Sequence, residues 1–152
     1  MQNNEKKFLL GNLKIIKGGD ATIPNSSDNR VILFFGDYTG KLEDELAIKL
    51  SKRWIKVTND FRSWWRGQVN FKMGKTLEIP VQTDTTALCL LVLNDKVMDY
   101  AALKDSLISA GRFVSSNKYN LHINKSYDWT QIEPMLIEYF VKSGVNVTVY
   151  EK

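Results

Sequence analysis

Two uninterrupted apolar runs constrain this chain more than any other feature: Val31-Ile32-Leu33-Phe34-Phe35 and Ala87-Leu88-Cys89-Leu90-Leu91-Val92-Leu93. A strand with water on one face alternates apolar and polar residues, whereas a strand covered on both faces reads as a continuous apolar stretch. Both runs therefore predict central strands of a sheet buried between two layers. Shorter β-rich stretches predict further strands at 13–17, 77–81, 121–123 and 145–150. The last of these alternates, with Val145, Val147 and Val149 on one side and Asn146, Thr148 and Tyr150 on the other. That pattern predicts one face more exposed.

Helical patterns lie between the strands. Leu42, Leu46, Leu50 and Trp54 recur every four residues, an apolar stripe on a helix of about three turns. Asp99 is a natural N-cap for a helix over 100–115, with Leu103, Leu107 and Ala110 facing inward. Thr130 and Glu133 have capping-box spacing ahead of a helix over 135–141. Pro134 would sit in its first turn, and Gly144 would stop it. A shorter helical piece is predicted at 60–65. Strands alternating with helices argue for a layered α/β domain, because parallel neighbours need helical crossovers. The polar stretch from Asn25 to Asn29 reads as a turn, not a boundary.

A chain of 152 residues is long enough for one domain with its own core. Its single cysteine excludes an internal disulfide, so a reducing compartment suits it. Residues 1–7 are polar and lack the apolar centre of a signal peptide, and the longest apolar run is far too short for a bilayer. A cytoplasmic protein with no membrane association is expected. The net charge of +4 is mild and reads as scattered surface lysines, so nucleic-acid binding is not expected. No Cys, His and carboxylate spacing suggests a metal, and no cofactor is expected.

Three segments carry a family resemblance: Ile16-Lys17-Gly18-Gly19-Asp20-Ala21-Thr22, Ala47-Ile48-Lys49-Leu50-Ser51-Lys52-Arg53-Trp54, and Trp129-Thr130-Gln131-Ile132-Glu133-Pro134. In this order and spacing the chain resembles the macro domain family, in particular the small phage and bacterial proteins related to ADP-ribose-1″-phosphate phosphatases. The resemblance implies a three-layer α/β/α fold with a mixed central sheet, spanning 1–152 as one domain with residues 1–10 as a flexible N-terminal segment. It implies a ligand site at Asp20, Ala21, Phe34, Gly36, Asp37 and Gly40, with the Asp20 carboxylate accepting from an adenine amino group. It also implies a phage or bacterial setting and, for a phage protein, the host cytoplasm.

The site departs from the family at both glycine-rich loops. Glycine lets a backbone approach phosphates closely, and a helix N-terminus attracts their charge. Here the first loop continues as Gly40-Lys41-Leu42-Glu43-Asp44-Glu45, which puts carboxylates where the resemblance places an anion. The second loop shrinks to Asn124-Lys125-Ser126-Tyr127-Asp128 and holds no glycine. The expectation is a macro-like domain without catalysis that acts by binding a host protein. The alternative is a remodelled pocket that binds a nucleoside, ADP-ribose or an NAD-derived molecule. Interface candidates are Arg62, Trp65 and Arg66, from the string Arg62-Ser63-Trp64-Trp65-Arg66, together with Glu43, Asp44 and Glu45. Trp64 matches a Tyr-Arg-x-Trp run of the branch and reads as structural. His122, inside a strand pattern, reads as structural too, and Cys89, between leucines, reads as a buried inert thiol.

Overall fold

A computed structural model describes residues 10–24 and 27–152. Nearly all of the expected N-terminal segment, and Asn25 and Ser26 of the expected turn, lie outside the described residues. The strands are β1 (Leu13–Lys17), β2 (Arg30–Asp37), β3 (Thr76–Gln82), β4 (Thr85–Asn94), β5 (Val97–Met98), β6 (Asn120–Asn124) and β7 (Val147–Glu151). They form one sheet in the order β1-β7-β6-β2-β4-β3, with β5 paired to β4. The five strands from β1 to β4 along that path run parallel, while β3 and β5 are antiparallel to β4.

The two apolar runs became β2 and β4, the middle of the sheet. Every residue of β2 is buried. Its side chains alternate between two cores: Val31, Leu33 and Phe35 face one, Ile32 and Phe34 the other. The first core is closed by α3 (Tyr100–Ser116) and α4 (Trp129–Tyr139), the second by α1 (Glu45–Arg53) and α2 (Ile55–Gly67). The result is three layers, helices on both faces of a mixed sheet. Burying each such large apolar side chain contributes about 1.5–3 kcal/mol, which is why a doubly covered strand needs no polar residues.

Several elements differ from the sequence reading for identifiable reasons. Helix α1 begins at Glu45 because Asp44 is its N-cap, its carboxylate accepting from the Ala47 N–H at 3.3 Å. Leu42 packs from the preceding loop, and Trp54 is an extended residue between α1 and α2. The short piece expected at 60–65 is the longer helix α2, which buries only Val57 and Phe61 and so carries a weak apolar signal. Helix α4 starts at Trp129, which puts Pro134 in its second turn. The expected capping box is absent: Thr130 donates to Asp128 at 2.6 Å, and Glu133 instead accepts from the Trp129 indole at 2.9 Å. Strand β7 is buried on both sides rather than one, because it lies between β1 and β6 and Tyr150 enters the second core.

Candidate functional site

Open α/β sheets bind ligands beyond the carboxyl ends of parallel strands, where neighbouring strands send their connections to opposite faces. That point here lies between β2, which leads to α1 on one face, and β6, which leads to α4 on the other. The pairing of β2 with β6 ends at Ile32 and His122, so the strand ends beyond it part from one another. The N-terminus of α1 points into the gap, with Phe35, Asp44, Glu45 and residues 123–126 around it.

The gap is nearly filled. Its free volume is about 20 Å³, room for little more than one water. Tyr127, from the loop between β6 and α4, donates its hydroxyl to Asp44 Oδ1 at 2.8 Å and sets its ring edge-on to Phe35 with centroids 5.4 Å apart. Its backbone is left-handed, φ 56°, a region bulky residues adopt only when their surroundings hold them there. Burial raises the Asp44 pKa, against hydrogen bonds from Tyr127 and from the Ala47 and Phe35 amides. Burial and the adjacent Asp44 carboxylate raise that of the Tyr127 phenol. The phenol is therefore a neutral donor rather than a nucleophile.

At the other end of the same edge the chain turns after β1 at Gly18 and Gly19, and Gly18 has φ 79°. Asp20 closes this turn. Its Oδ1 accepts from the Thr22 amide at 2.8 Å and the Thr22 hydroxyl at 2.6 Å, and its Oδ2 accepts from Lys49 Nζ at 2.6 Å. Burial opposes ionisation of Asp20, but the bonds from Lys49 and Thr22 outweigh it and hold the carboxyl below its ordinary pKa. The same contact raises Lys49. Ala21 is buried, and its N–H is taken by Asn124 Oδ1 at 2.8 Å, which ties the turn to the end of β6. Beside this pair lies an open cavity of about 550 Å³ bordered by Gly18, Gly19, Asp20, Ile23, Lys49 and Lys152. Ile23 is 69% exposed, an apolar surface on which a flat ring could rest.

The remaining residues of the sequence reading separate from one another. Phe34 is core, on the face covered by α1 and α2. Gly36 makes room for protein rather than phosphate: a Cβ there would lie 2.7 Å from both Phe61 and Cys89. The Asp37 carboxylate is a loop organiser that accepts from the amides of Thr39 (2.9 Å), Asp95 (3.0 Å) and Lys96 (2.8 Å). Gly40, with φ 88°, lies directly under the Trp65 indole. Of the three acids expected to crowd an anion, only Asp44 turns inward, and it is buried rather than available to a partner surface. Glu43 pairs with Lys96 at 3.1 Å and Glu45 with Lys152 at 2.8 Å. Arg62 and Arg66 are exposed on α2, and Trp65 is 39% exposed beside them.

His122 is buried between the Tyr150 hydroxyl at 2.8 Å and Asp28 at 3.0 Å. Burial pushes the Cys89 thiol well above its ordinary range. Among the described residues no cluster of His, Cys and carboxylates is placed to hold a metal, and no helix is long and apolar enough to cross a membrane. Sequence reasoning missed Lys49, Asn124 and Tyr127. All three stood inside segments already singled out, but their partners lie far off in the chain.

The macrodomain protein of Streptomyces coelicolor is similar to this chain with a TM-score of 0.86 at 20% identity, over 92% of this chain and 99% of that one. A protein of unknown function from Bacteroides thetaiotaomicron matches with a TM-score of 0.86 at 23% identity, over 92% and 98%. Thermosipho africanus DarTG, solved in complex with ADP-ribose, matches with a TM-score of 0.67 at 12% identity, over 81% of this chain and 38% of that one. No protein-family model matches the sequence, and no curated protein does. These likenesses, with the mixed sheet between helices, give the chain the macrodomain fold that its sequence motifs implied.

Proposed function

We propose that this chain is a non-catalytic binding domain that takes the adenosine end of an ADP-ribose-related ligand. The observation that carries this reading is the contrast between the two ends of the site. About 550 Å³ is open beside Asp20 and Lys49, while about 20 Å³ is left at the N-terminus of α1. The pair Asp20 and Lys49 presents an acceptor next to a donor, which complements the amino group and ring nitrogen of an adenine edge. Lys49 would supply the donor that the Ala21 N–H, engaged by Asn124, cannot. The solved complex of Thermosipho africanus DarTG with ADP-ribose supports the ligand class for this fold.

The chemistry of the nearby side chains supports binding without catalysis. The groups nearest the α1 N-terminus are a phenol and a carboxylate bonded to each other. The thiol of Cys89 is buried, and His122 is held by Tyr150 and Asp28. None of these is both activated and accessible.

The test is thermal unfolding with adenosine, AMP or ADP-ribose, for the wild type and Asp20→Ala. A ligand at a hundred times its Kd adds about 2.7 kcal/mol, a clear rise in Tm. All three should raise the Tm of the wild type and none that of the variant. No rise for any of them would reject the adenosine site.

A second reading, a host-protein partner, is favoured by the outer face of α2. There Trp65 is 39% exposed and Ile55 68% exposed, alongside Arg66. Tryptophan and arginine are the residues that anchor interfaces most often. Alanine at Trp65 and Arg66 should abolish capture of such a partner while leaving the Tm response to adenosine intact.

A further inference from the structure

A second concavity lies outside the cleft between the strand ends. It is a groove between α1 and α2, closed at one end by residues 40–43, with a volume of about 420 Å³. None of its lining residues borders the Asp20 cavity. The size falls in the range of small-molecule sites, about 300–1,000 Å³.

The chemistry of the walls is specific. Leu42 and Ile48 supply apolar surface, and Ile48 is 40% exposed although it stands on a helix whose other apolar residues are buried. The Ser51 hydroxyl is buried at this wall and has no hydrogen-bond partner among the described residues, an arrangement that is unfavourable until something bonds to it. The rim is cationic. Glu43, its one acid, already pairs with Lys96 at 3.1 Å and lies 4.0 Å from Lys41. Lys52 on α1 and Arg62 on α2 face the groove from opposite helices and have no ion pair among the described residues. Two uncompensated cations across an apolar floor match a ligand with the opposite layout, a negative head on an apolar body.

We propose that the α1–α2 groove binds a small organic anion, with its charged group between Lys52 and Arg62 and its apolar body against Leu42 and Ile48. The head is a phosphate ester or a carboxylate, which share the geometry that arginine and lysine recognise.

The experiment is a titration of the ¹⁵N-labelled full chain, following backbone amides, with phenyl phosphate, benzoate, inorganic phosphate and benzyl alcohol. Phenyl phosphate or benzoate should shift the amides of 41–43, 48–52 and 58–62 saturably, and whichever binds more tightly identifies the head group. Inorganic phosphate lacks the body and benzyl alcohol lacks the charge, so each should bind at least about tenfold more weakly. Lys52→Ala and Arg62→Ala change exposed side chains and should fold normally. Each should weaken the better organic anion by about tenfold. If neither organic anion gives saturable shifts at these amides, the site does not exist. Shifts that survive both substitutions unchanged would equally overturn it.

Discussion

Asp28 gathers three donors at once: Arg30 Nε at 2.9 Å, Asn120 Nδ2 at 2.9 Å and His122 Nε2 at 3.0 Å. Burial opposes its charge, but these bonds outweigh burial and hold its carboxyl far below the usual range. His122 is lowered as well, here by burial itself, with Asp28 only partly offsetting that effect. A neutral imidazole beside an ionised Asp28 fixes the tautomer, since Nε2–H must donate to Asp28 and Nδ1 must accept from the Tyr150 hydroxyl. Both groups have folded pKa values below their unfolded ones, so the unfolded chain binds more protons as pH falls. Their stabilisation is complete above the unfolded histidine value of about 6.5, and the first part is lost as pH falls below it. The Asp28 part goes only below about 3.9, the unfolded aspartate value. Urea unfolding should therefore show a downward slope from pH 7 to pH 5, which His122→Gln removes. A flat wild-type profile over that interval would contradict the neutral imidazole. Tyr127→Phe tests the pair at the start of α1, where the carboxylate of Asp44 is buried and Tyr127 is 41% exposed. It leaves the Asp44 carboxylate one donor short and should cost about 1–3 kcal/mol in the same assay.

Among the elements, the loop from β2 to α1 depends on one backbone angle. Gly40 has φ 88°, and any Cβ there would overlap the Trp65 ring. Gly40→Ala should cost about 1–3 kcal/mol, from the left-handed strain together with overpacking. Trp65 emission should shift to the red as the indole is pushed into water. Asp99→Ala removes the carboxylate that accepts from the Ala102 N–H at 3.0 Å and should cost about 1 kcal/mol. Elements whose signal is local were readable from the residues. The runs of β2 and β4 report burial on both faces, and the Asp99 cap sits beside the helix it starts. Elements shaped by distant partners were not. The stripe from Leu42 to Trp54 keeps a period of four beyond both ends of α1, because Leu42 packs from a loop and Trp54 joins two helices. Tyr150 alternates with valines as if facing water, yet His122 on the neighbouring strand supplies its hydroxyl with a partner.

For the molecule as a whole, the absence of glycine from 124–128 was legible in the sequence, but not what the side chains there do. Tyr127 meets Asp44 across 83 residues of chain and Lys49 meets Asp20 across 29, separations that no local pattern encodes. Together these two contacts divide the macrodomain cleft into an open end and a closed one, and the division has a measurable consequence. A ligand extended from adenosine toward the α1 N-terminus carries its phosphates into a space of about 20 Å³. It gains nothing there unless Tyr127 gives way, so wild-type affinities for adenosine and ADP-ribose should agree within about threefold by calorimetry. Tyr127→Ala removes the ring that packs on Phe35 and bonds Asp44 beside the start of α1. A helix N-terminus stabilises an anion by up to about 2 kcal/mol, so ADP-ribose should then gain by ten- to thirtyfold while adenosine stays unchanged. Asp44 sets the limit on that gain, because its carboxylate remains at the helix start once its tyrosine is gone. Tyr127→Ala with Asp44→Asn should therefore bind ADP-ribose more tightly than Tyr127→Ala alone. A wild type that already prefers ADP-ribose by a hundredfold would mean the cleft is open in solution, and the closed end would have to be abandoned.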